Sequence, residues 1–293
     1  MTISARLEAN AALVEESLAA LMAEEDADFA SELAAERYSL FSRAKRIRPT
    51  LVLEFCRLFG GNDAAALPFA AAVEMVHTYS LIHDDLPCMD DDNLRRGKPT
   101  CHKAFGESTA LLAGDGLLTR AFGALVTSPA PDGAVRAAVA ALSRAAGSFG
   151  MIGGQVMDLD GEEKKLPMDK LLKLHAHKTG ALISVSAELG CLAAGLSPSD
   201  RRTVAAKEFA KGIGLAFQIV DDVLDATADV ATLGKSIGSD ARAEKTTFLT
   251  YYSVEDALKY AAEVTERAKA AIADMAGSEF LCDLADALVK RSF

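Results

Sequence analysis

The chain carries two clusters of aspartates, each confined to one or two helical turns: Asp84, Asp85 and Asp90, and Asp221, Asp222 and Asp225. Carboxylates this close together repel one another, so such clusters are expected where a cation binds. Oxygen-only ligands favour a hard cation, and Mg²⁺ readily shares its coordination shell with phosphate groups. The two clusters therefore predict a site that holds a phosphorylated substrate through metal ions.

The second cluster lies on one face of a predicted helix. Gln218, Asp221, Asp222 and Asp225 occupy positions i, i+3, i+4 and i+7, which form a single polar stripe. The residues between them are apolar. We therefore expect the stripe to face a cavity or a partner inside the protein.

The first cluster ends an apolar helix. His77 and Asp84 are seven residues apart and share one face of that helix. Pro87 cannot continue the helix comfortably, so the chain must turn back to bring Asp90 near Asp84. A solvated surface network is the alternative, because Arg95 and its neighbours follow the acids. The apolar helix and the second cluster of the same type favour a binding site.

A separate basic group precedes another predicted helix. Lys45 and Arg48 are three residues apart, just before Pro49, which we place at the first helical position. The free N–H groups and positive dipole of a helix start attract anions. This group predicts a diphosphate site that needs no metal. A solvated basic turn is the alternative, and the negative net charge disfavours a nucleic-acid patch.

Composition narrows the class of protein. Of the 293 residues half are hydrophobic and a quarter charged, which predicts a sizeable core. The net charge of −11 argues against nucleic acid or an anionic membrane as a main partner. Five scattered cysteines suit a reducing cytoplasm, and the N-terminus does not resemble a signal peptide. The apolar stretch 181–196 is too short to span a bilayer comfortably. We expect a cytoplasmic protein with no membrane span.

Alanine and leucine recur at three- and four-residue intervals, while strand signals are nearly absent. The sequence therefore predicts an all-α fold, a single domain (1–293) of about ten or more helices around a central cavity. The predicted helices are 2–22, 28–40, 49–59, 64–86, 107–127, 133–149, 168–179, 181–195, 199–225, 253–275 and 278–290. Ser253 and Ser278 are predicted N-caps. Gly153 to Asp158 is predicted to break two helices, and 227–247 to form a lid or binding loop.

Two motifs resemble those of the trans-isoprenyl diphosphate synthases, or polyprenyl synthetases. They are LIHDD-x4-D-x4-RRG from Leu81 to Gly97, and G-x2-FQ-x2-DD-x2-D from Gly214 to Asp225. The resemblance covers nearly the whole chain, from Lys45 to Lys245, and is strongest to the bacterial short-chain type. Members of the family usually carry glycines where this chain has Arg43 and Ala44.

The resemblance implies roles for individual residues. Three Mg²⁺ ions, with Mn²⁺ as a substitute, would be held by the six aspartates Asp84, Asp85, Asp90, Asp221, Asp222 and Asp225. The allylic diphosphate would contact Arg95, Lys178, Thr179, Gln218 and Lys235, with Lys245 assisting from the lid. The diphosphate of isopentenyl diphosphate would contact Lys45, Arg48, His77 and Arg96. Among these, the aspartates, Arg95 and Lys178 would be catalytic, and the enzyme would be a homodimer.

The chemistry implied is loss of diphosphate from the allylic substrate, attack by isopentenyl diphosphate on the resulting cation, and loss of a proton. No protein nucleophile is needed, and the sequence shows no signature of one. A terpene cyclase would leave the basic group unexplained, because it has no second diphosphate substrate. A non-catalytic subunit of a heteromeric synthase tends to lose one aspartate motif, and both are intact here.

Product length depends on the helix below Asp84. Tyr79 lies five residues before Asp84, about 7.5 Å along the helix, with Ser80 beside it. If the Tyr79 ring forms the floor of the tail pocket, growth stops at fifteen carbons and the product is farnesyl diphosphate. If Tyr79 is an ordinary core aromatic, geranylgeranyl diphosphate is the alternative product.

Overall fold

The computed structural model describes residues 2–162, 164–227 and 245–290. Its helices are α1 (Ile3–Leu21), α2 (Ala30–Leu40), α3 (Ile47–Leu58), α4 (Asp63–Asp84), α5 (Cys101–Phe105), α6 (Glu107–Val126), α7 (Asp132–Ala146), α8 (Met151–Asp160), α9 (Met168–Lys178), α10 (Gly180–Ala193), α11 (Arg201–Thr227), α12 (Val254–Ala270) and α13 (Glu279–Lys290). Short 3₁₀ turns span Ala27–Phe29 and Phe248–Thr250. Among the described residues, the only strands are β1 (Leu94–Arg95) and β2 (Lys98–Pro99), which pair antiparallel. The prediction of an all-α fold is confirmed, whereas the single-domain assignment stays a prediction.

Two buried helices organise the core. Helix α4 packs against α1, α3, α6 and α10, and α10 packs in turn against α3, α7 and α11. Small side chains fill most buried positions in the first half of α4, and these are Ala65, Ala66, Ala70, Ala71 and Ala72. Small side chains let neighbouring helices approach closely. The functional residues at the C-terminal end of α4 are therefore carried on a well-supported helix.

Several helix starts follow from local capping. Asn62 accepts a hydrogen bond from the Ala65 amide at 2.9 Å at the start of α4. Ser253 accepts one from the Asp256 amide at 3.1 Å, which confirms its predicted role as the N-cap of α12. These side-chain oxygens satisfy amides that have no partner within the helix.

Other predicted boundaries were wrong. The helix predicted from residue 199 begins at Arg201, and the Asp200 carboxylate accepts from the Arg202 amide at 2.9 Å. Helix α3 begins at Ile47, so Pro49 is its third residue, still in the first turn where its missing N–H costs nothing. Arg46, immediately before α3, has a left-handed backbone with φ +49°.

The segment predicted to break two helices is itself a helix, α8. Gly154 explains the error, because its role is close packing and not a turn. A Cβ added at Gly154 would lie 2.1 Å from the backbone nitrogen of Lys178 on α9. The short helix α5 and the β1–β2 hairpin were not predicted.

Two helices, α4 and α6, are long and apolar enough to cross a membrane by length and composition alone. The apolar window of α4 is 72% buried and that of α6 is 39% buried. Burial of this extent identifies α4 as a core helix of the fold. Helix α6 is less covered and exposes Leu111 and Leu112.

Candidate active site

A cavity of about 480 Å³ lies between the C-terminal half of α4 and helices α6, α8, α9 and α10. Seven of the predicted site residues line it: Arg48, His77, Tyr79, Ser80, Asp84, Lys178 and Thr179. Most other lining residues are apolar, among them Leu118, Met151, Ile152, Val156, Leu159 and Leu182. A largely apolar wall with a few charged groups suits a ligand that has a hydrocarbon tail and an anionic head.

The first aspartate motif is built by a reversal of the chain at the end of α4. The helix ends at Asp84, and the amide of Asp90 donates to the Asp84 carbonyl oxygen at 2.8 Å. Asp91 then adopts a left-handed backbone with φ +48°. The turn expected from Pro87 therefore brings the first and third acids of the motif together.

Asp85, the second acid of the motif, pairs with Arg95. The buried Asp85 carboxylate accepts from Arg95 Nε at 3.0 Å and also from Arg95 Nη2. Arg95 Nη2 lies 3.2 Å from Asp92 Oδ2 as well. Burial raises the pKa of Asp85 although Arg95 opposes that shift. Asp85 therefore orients Arg95, which the β1–β2 hairpin carries to this position.

Asp84 is the acid under the greatest electrostatic strain in this motif. Burial raises its pKa to about 6, and the neighbouring charges of Asp90 and Asp85 act in the same direction. Lys178 and Arg95 lower it only in part. The ionised form of a buried carboxylate with a raised pKa is stabilised when a further cation binds beside it.

Two lysines converge on Asp158 of α8. Lys178 Nζ donates to Asp158 Oδ2 at 2.5 Å, and Lys245 Nζ donates to the same oxygen at 3.1 Å. Burial alone would raise the pKa of Asp158, but the two lysines outweigh burial and lower it. Lys245 also lies 3.8 Å from Asp90 Oδ1. We define the acidic side of the site by the residues Asp84, Asp85, Asp90, Asp158, Arg95, Lys178 and Lys245. Of these, Asp84 and Lys178 line the cavity.

Sequence reasoning missed two residues here. The sequence analysis places both Gln155 and Asp158 in a predicted break between helices and gives neither a role in the site. Gln155 lines the cavity, and its Nε2 is buried with no hydrogen-bond partner among the described residues. The signal was present in the spacing, since Gln155 and Asp158 lie at i and i+3 and share a helical face.

On another side of the site, cations outnumber acids. Arg46 is fully buried, its Nη1 lies 2.6 Å from Glu74 Oε1, and its Nη2 donates to the Leu40 carbonyl at 2.6 Å. This buried pair fixes the chain at the start of α3. It therefore positions Lys45, just before the helix, and Arg48, in its first turn. We define the basic side of the site by the residues Lys45, Arg46, Arg48, His77 and Arg96, with Glu74. Of these, Arg48 and His77 line the cavity.

The part of the basic side that lines the cavity, Arg48 and His77, is suited to an anion. Burial lowers the pKa of Arg48 to about 10, and its Nε is buried with no hydrogen-bond partner among the described residues. Burial, with Arg48 and Arg96 adding to it, lowers the pKa of His77 well below its ordinary value. His77 is therefore neutral near pH 7. Arg96 Nη1 donates to Ser42 Oγ at 3.0 Å.

The second aspartate motif lies on α11, and none of its residues lines the cavity described above. Asp222 is buried and accepts from the Phe248 amide at 2.8 Å. Asp225 Oδ1 is buried with no partner among the described residues, and Asp221 and Gln218 are half-buried. The predicted polar stripe is thus present on α11.

Helix α9 connects the two motifs. His175 Nε2 lies 4.0 Å from Asp222 Oδ2, and its ring stacks on Phe248 with centroids 5.4 Å apart. Burial lowers the pKa of His175 to about 4, so the ring is neutral. Lys178 follows one turn later on the same helix. Sequence reasoning missed His175, although its i, i+3 spacing to Lys178 would have indicated it.

The donor set fits a divalent cation. The proposed metal-binding atoms of the two motifs are all carboxylate oxygens. Burial and neighbouring acids raise the pKa of Asp84, and Asp225 Oδ1 has no hydrogen-bond partner among the described residues. In the described part of the chain, no three acidic, histidine or cysteine side chains converge into a closed metal site. Mg²⁺ typically uses one or two carboxylates together with substrate phosphates, which suits this open arrangement. Lys235 and most of the predicted lid lie outside the described residues.

The fold and the site together define a prenyltransferase of the all-α type. Residues 32–278 match the family model for polyprenyl synthetases, and the chain belongs to that family. The resemblance inferred from the two aspartate motifs is therefore confirmed.

Individual relatives include enzymes with different products. The chain is 43% identical over 263 residues to the farnesyl diphosphate synthase of Escherichia coli, covering 87% of this chain and 88% of that one. It is 47% identical over 232 residues to geranylgeranyl pyrophosphate synthase 7 of Arabidopsis thaliana, covering 78% of this chain and 66% of the relative. A crystal structure of an FPP/GFPP synthase from Zymomonas mobilis has a TM-score of 0.87 at 33% identity, with 98% of both chains covered.

Proposed function

We propose that this chain condenses isopentenyl diphosphate with dimethylallyl diphosphate, and then with geranyl diphosphate, to give farnesyl diphosphate. The observation that carries the proposal is one apolar cavity with two different charged sides. Arg48 and His77 line one side, while Asp84 and Lys178 line the other. Two diphosphate groups can therefore be held near one hydrocarbon pocket and kept apart.

The acidic side, with the α11 motif, would take the allylic diphosphate. Asp84, Asp85 and Asp90, and Asp221, Asp222 and Asp225, are the proposed metal-binding residues, and we infer Mg²⁺ from their oxygen donors. Bound Mg²⁺ would neutralise the negative charge that develops on the diphosphate as it leaves. Lys178 and Lys245 supply further positive charge, with Arg95, Thr179, Gln218 and Lys235 as the remaining proposed contacts.

The basic side would take isopentenyl diphosphate without a metal. Lys45, Arg48 and Arg96 supply positive charge, and the neutral His77 supplies a hydrogen-bond donor. The allylic carbon–oxygen bond breaks, the double bond of isopentenyl diphosphate forms the new carbon–carbon bond, and a proton leaves to the departing diphosphate. The apolar wall excludes water that would otherwise capture the cation.

The fifteen-carbon product is inferred from Tyr79. Its ring is buried in the cavity wall, five residues before Asp84 on α4 and next to Ser80 in the sequence. The second candidate is geranylgeranyl diphosphate, which the 47% identity to the Arabidopsis enzyme favours.

The decisive experiment uses the purified chain with isopentenyl and dimethylallyl diphosphates. Diphosphate release is measured, and the dephosphorylated products are separated by chromatography. Farnesol as the main product supports the proposal, and geranylgeraniol supports the second candidate. No release by the chain alone, but release with a partner subunit, would assign it to a heteromeric synthase.

We also infer a homodimer in the cytoplasm. The exposed apolar side chains of α6 that do not line the cavity, Leu111 and Leu112, support self-association. Sedimentation velocity ultracentrifugation measures the mass of the species in solution. A monomer at micromolar concentration would contradict the dimer.

A further inference from the structure

Two aromatic rings stand one turn apart in the cavity wall below Asp84. Tyr79 and His83 on α4 have ring centroids 5.6 Å apart and an angle of 82° between their planes, and both line the cavity. The Tyr79 hydroxyl is buried with no hydrogen-bond partner among the described residues. The orientation of the Tyr79 ring is therefore set by packing, and the edge-to-face contact with His83 is part of that packing.

His83 is held from the other side of the cavity by α6. Its Nε2 lies 3.0 Å from the carbonyl oxygen of Leu111. A carbonyl oxygen only accepts, so Nε2 carries the hydrogen and donates it. The Asp115 carboxylate lies 3.9 Å from the same nitrogen. The His83 ring is thus fixed between α4 and α6.

Gly114 makes this position possible. A Cβ added at Gly114 would lie 2.1 Å from His83 Nε2 and 2.4 Å from its Cδ2. Cβ atoms in real structures essentially never lie within 3.0 Å of such neighbours, so a side chain at Gly114 would require the His83 ring to shift. Gly123 on the same helix is different, because nothing lies within 4 Å of a Cβ added there.

We propose that His83, seated against Gly114, is a positioning residue that fixes the Tyr79 ring across the cavity and thereby sets the length of the product. The proposal rests on the prenyltransferase function inferred above. His83 does not touch the reacting atoms; it acts through Tyr79. When His83 is removed or displaced, the Tyr79 ring gains room to rotate away, and the pocket accepts one more five-carbon unit.

The test compares Gly114→Ala and His83→Ala with the matched control Gly123→Ala. Each purified variant receives isopentenyl and dimethylallyl diphosphates, and the product lengths are measured. In the first two variants, the ratio of the next longer product to the parental product should rise about tenfold, which corresponds to about 1.4 kcal/mol in relative barrier. Gly123→Ala should keep the parental ratio. Active Gly114→Ala and His83→Ala variants with parental products would overturn the proposal.

A double variant separates displacement of His83 from general disruption of the helix packing. In a His83→Ala background the ring is gone, so Gly114→Ala should cause no further lengthening. If the two substitutions instead add, Gly114 acts independently of His83 and the proposal fails. The double variant also has room for the new methyl group, so it serves where Gly114→Ala alone does not fold.

Ligand binding gives a readout that does not depend on turnover. Calorimetry measures the affinities of the non-hydrolysable farnesyl and geranylgeranyl thiolodiphosphates in the presence of Mg²⁺. His83→Ala should shift the ratio of these affinities towards the longer analogue by about tenfold, and an unchanged ratio contradicts the proposal. If the parent chain binds both analogues but releases no diphosphate from the substrates, the proposed function is refuted. The ratio of the two affinities would still test the role of His83.

Discussion

The acidic and basic sides of the site are built on opposite electrostatic principles. On the acidic side, burial raises the pKa of Asp84 to about 6, and the lysines nearby are already shared with Asp158. On the basic side, cations outnumber Glu74, and burial lowers the pKa values of Arg48 and Arg96. The first side therefore needs added positive charge, and the second needs added negative charge. One diphosphate site should depend on metal, and the other should not.

Removing a carboxylate from the acidic side is expected to have the largest effect. Asp84→Ala, or Asp221→Ala on α11, should lower kcat by roughly 10³-fold, because charge stabilisation of the leaving diphosphate is lost. Steady-state kinetics at saturating Mg²⁺ measures the effect, and circular dichroism should show unchanged helix content. Asp132→Ala at the exposed start of α7 is the control. Near-parental turnover of both variants would remove the metal-site assignment.

Removal of metal should separate the two sides directly. With EDTA present, affinity for an allylic thiolodiphosphate should fall by roughly a hundredfold, since phosphate ligation by metal supplies several kcal/mol. Affinity for isopentenyl diphosphate should change by less than about threefold, because its contacts are arginine, lysine and histidine. Calorimetry with and without EDTA measures both. Equal losses for the two ligands would contradict the division of the site into two sides.

A smaller effect is expected for one arginine of the basic side. Arg48→Ala should raise KM for isopentenyl diphosphate by about tenfold, consistent with loss of a charge-assisted hydrogen bond worth about 1.5–3 kcal/mol. The KM for the allylic substrate should change much less. Arg136→Ala on the exposed face of α7 serves as the control. A similar rise in both KM values would show that Arg48 does not discriminate between the substrates.

Local sequence patterns predicted much of the fold and many of the site residues. The helical stripe of Asp221 and Asp225, the reversal after Pro87 and the N-cap at Ser253 each depend on residues a few positions apart. Such features follow from backbone geometry and local hydrogen bonding, so they can be predicted without knowing the fold.

The features that were missed depend on contacts between distant helices. Asp158 matters because α8 and α9 place Lys178 beside it, and Lys245 reaches it from 87 residues away in the sequence. Gly154 looked like a helix breaker, whereas its role is close packing against α9. Tertiary context of this kind outweighs the weak local preference of glycine to end a helix.

Within the acidic side, removing the negative charge of Asp84 should stabilise the metal-free protein, whereas removing the negative charge of Asp158 should destabilise it. The pKa of Asp84 is raised above its unfolded value, so ionisation destabilises the metal-free fold as pH rises from about 4 to about 6. The pKa of Asp158 is lowered by its two lysines, so its charge stabilises the fold above the unfolded pKa, and that stability is lost as pH falls through the lowered value.

Asp84→Asn should therefore raise the unfolding free energy of the metal-free protein at pH 7 by about 1–3 kcal/mol, and Asp158→Asn should lower it. Urea unfolding in EDTA at pH 7 measures both. At pH 4 the gain for Asp84→Asn should largely disappear, because the parental carboxyl is then protonated in the folded state. A destabilised Asp84→Asn at pH 7 would show that the Asp84 charge is already compensated without metal, and that the two sides of the site differ less than their charges indicate.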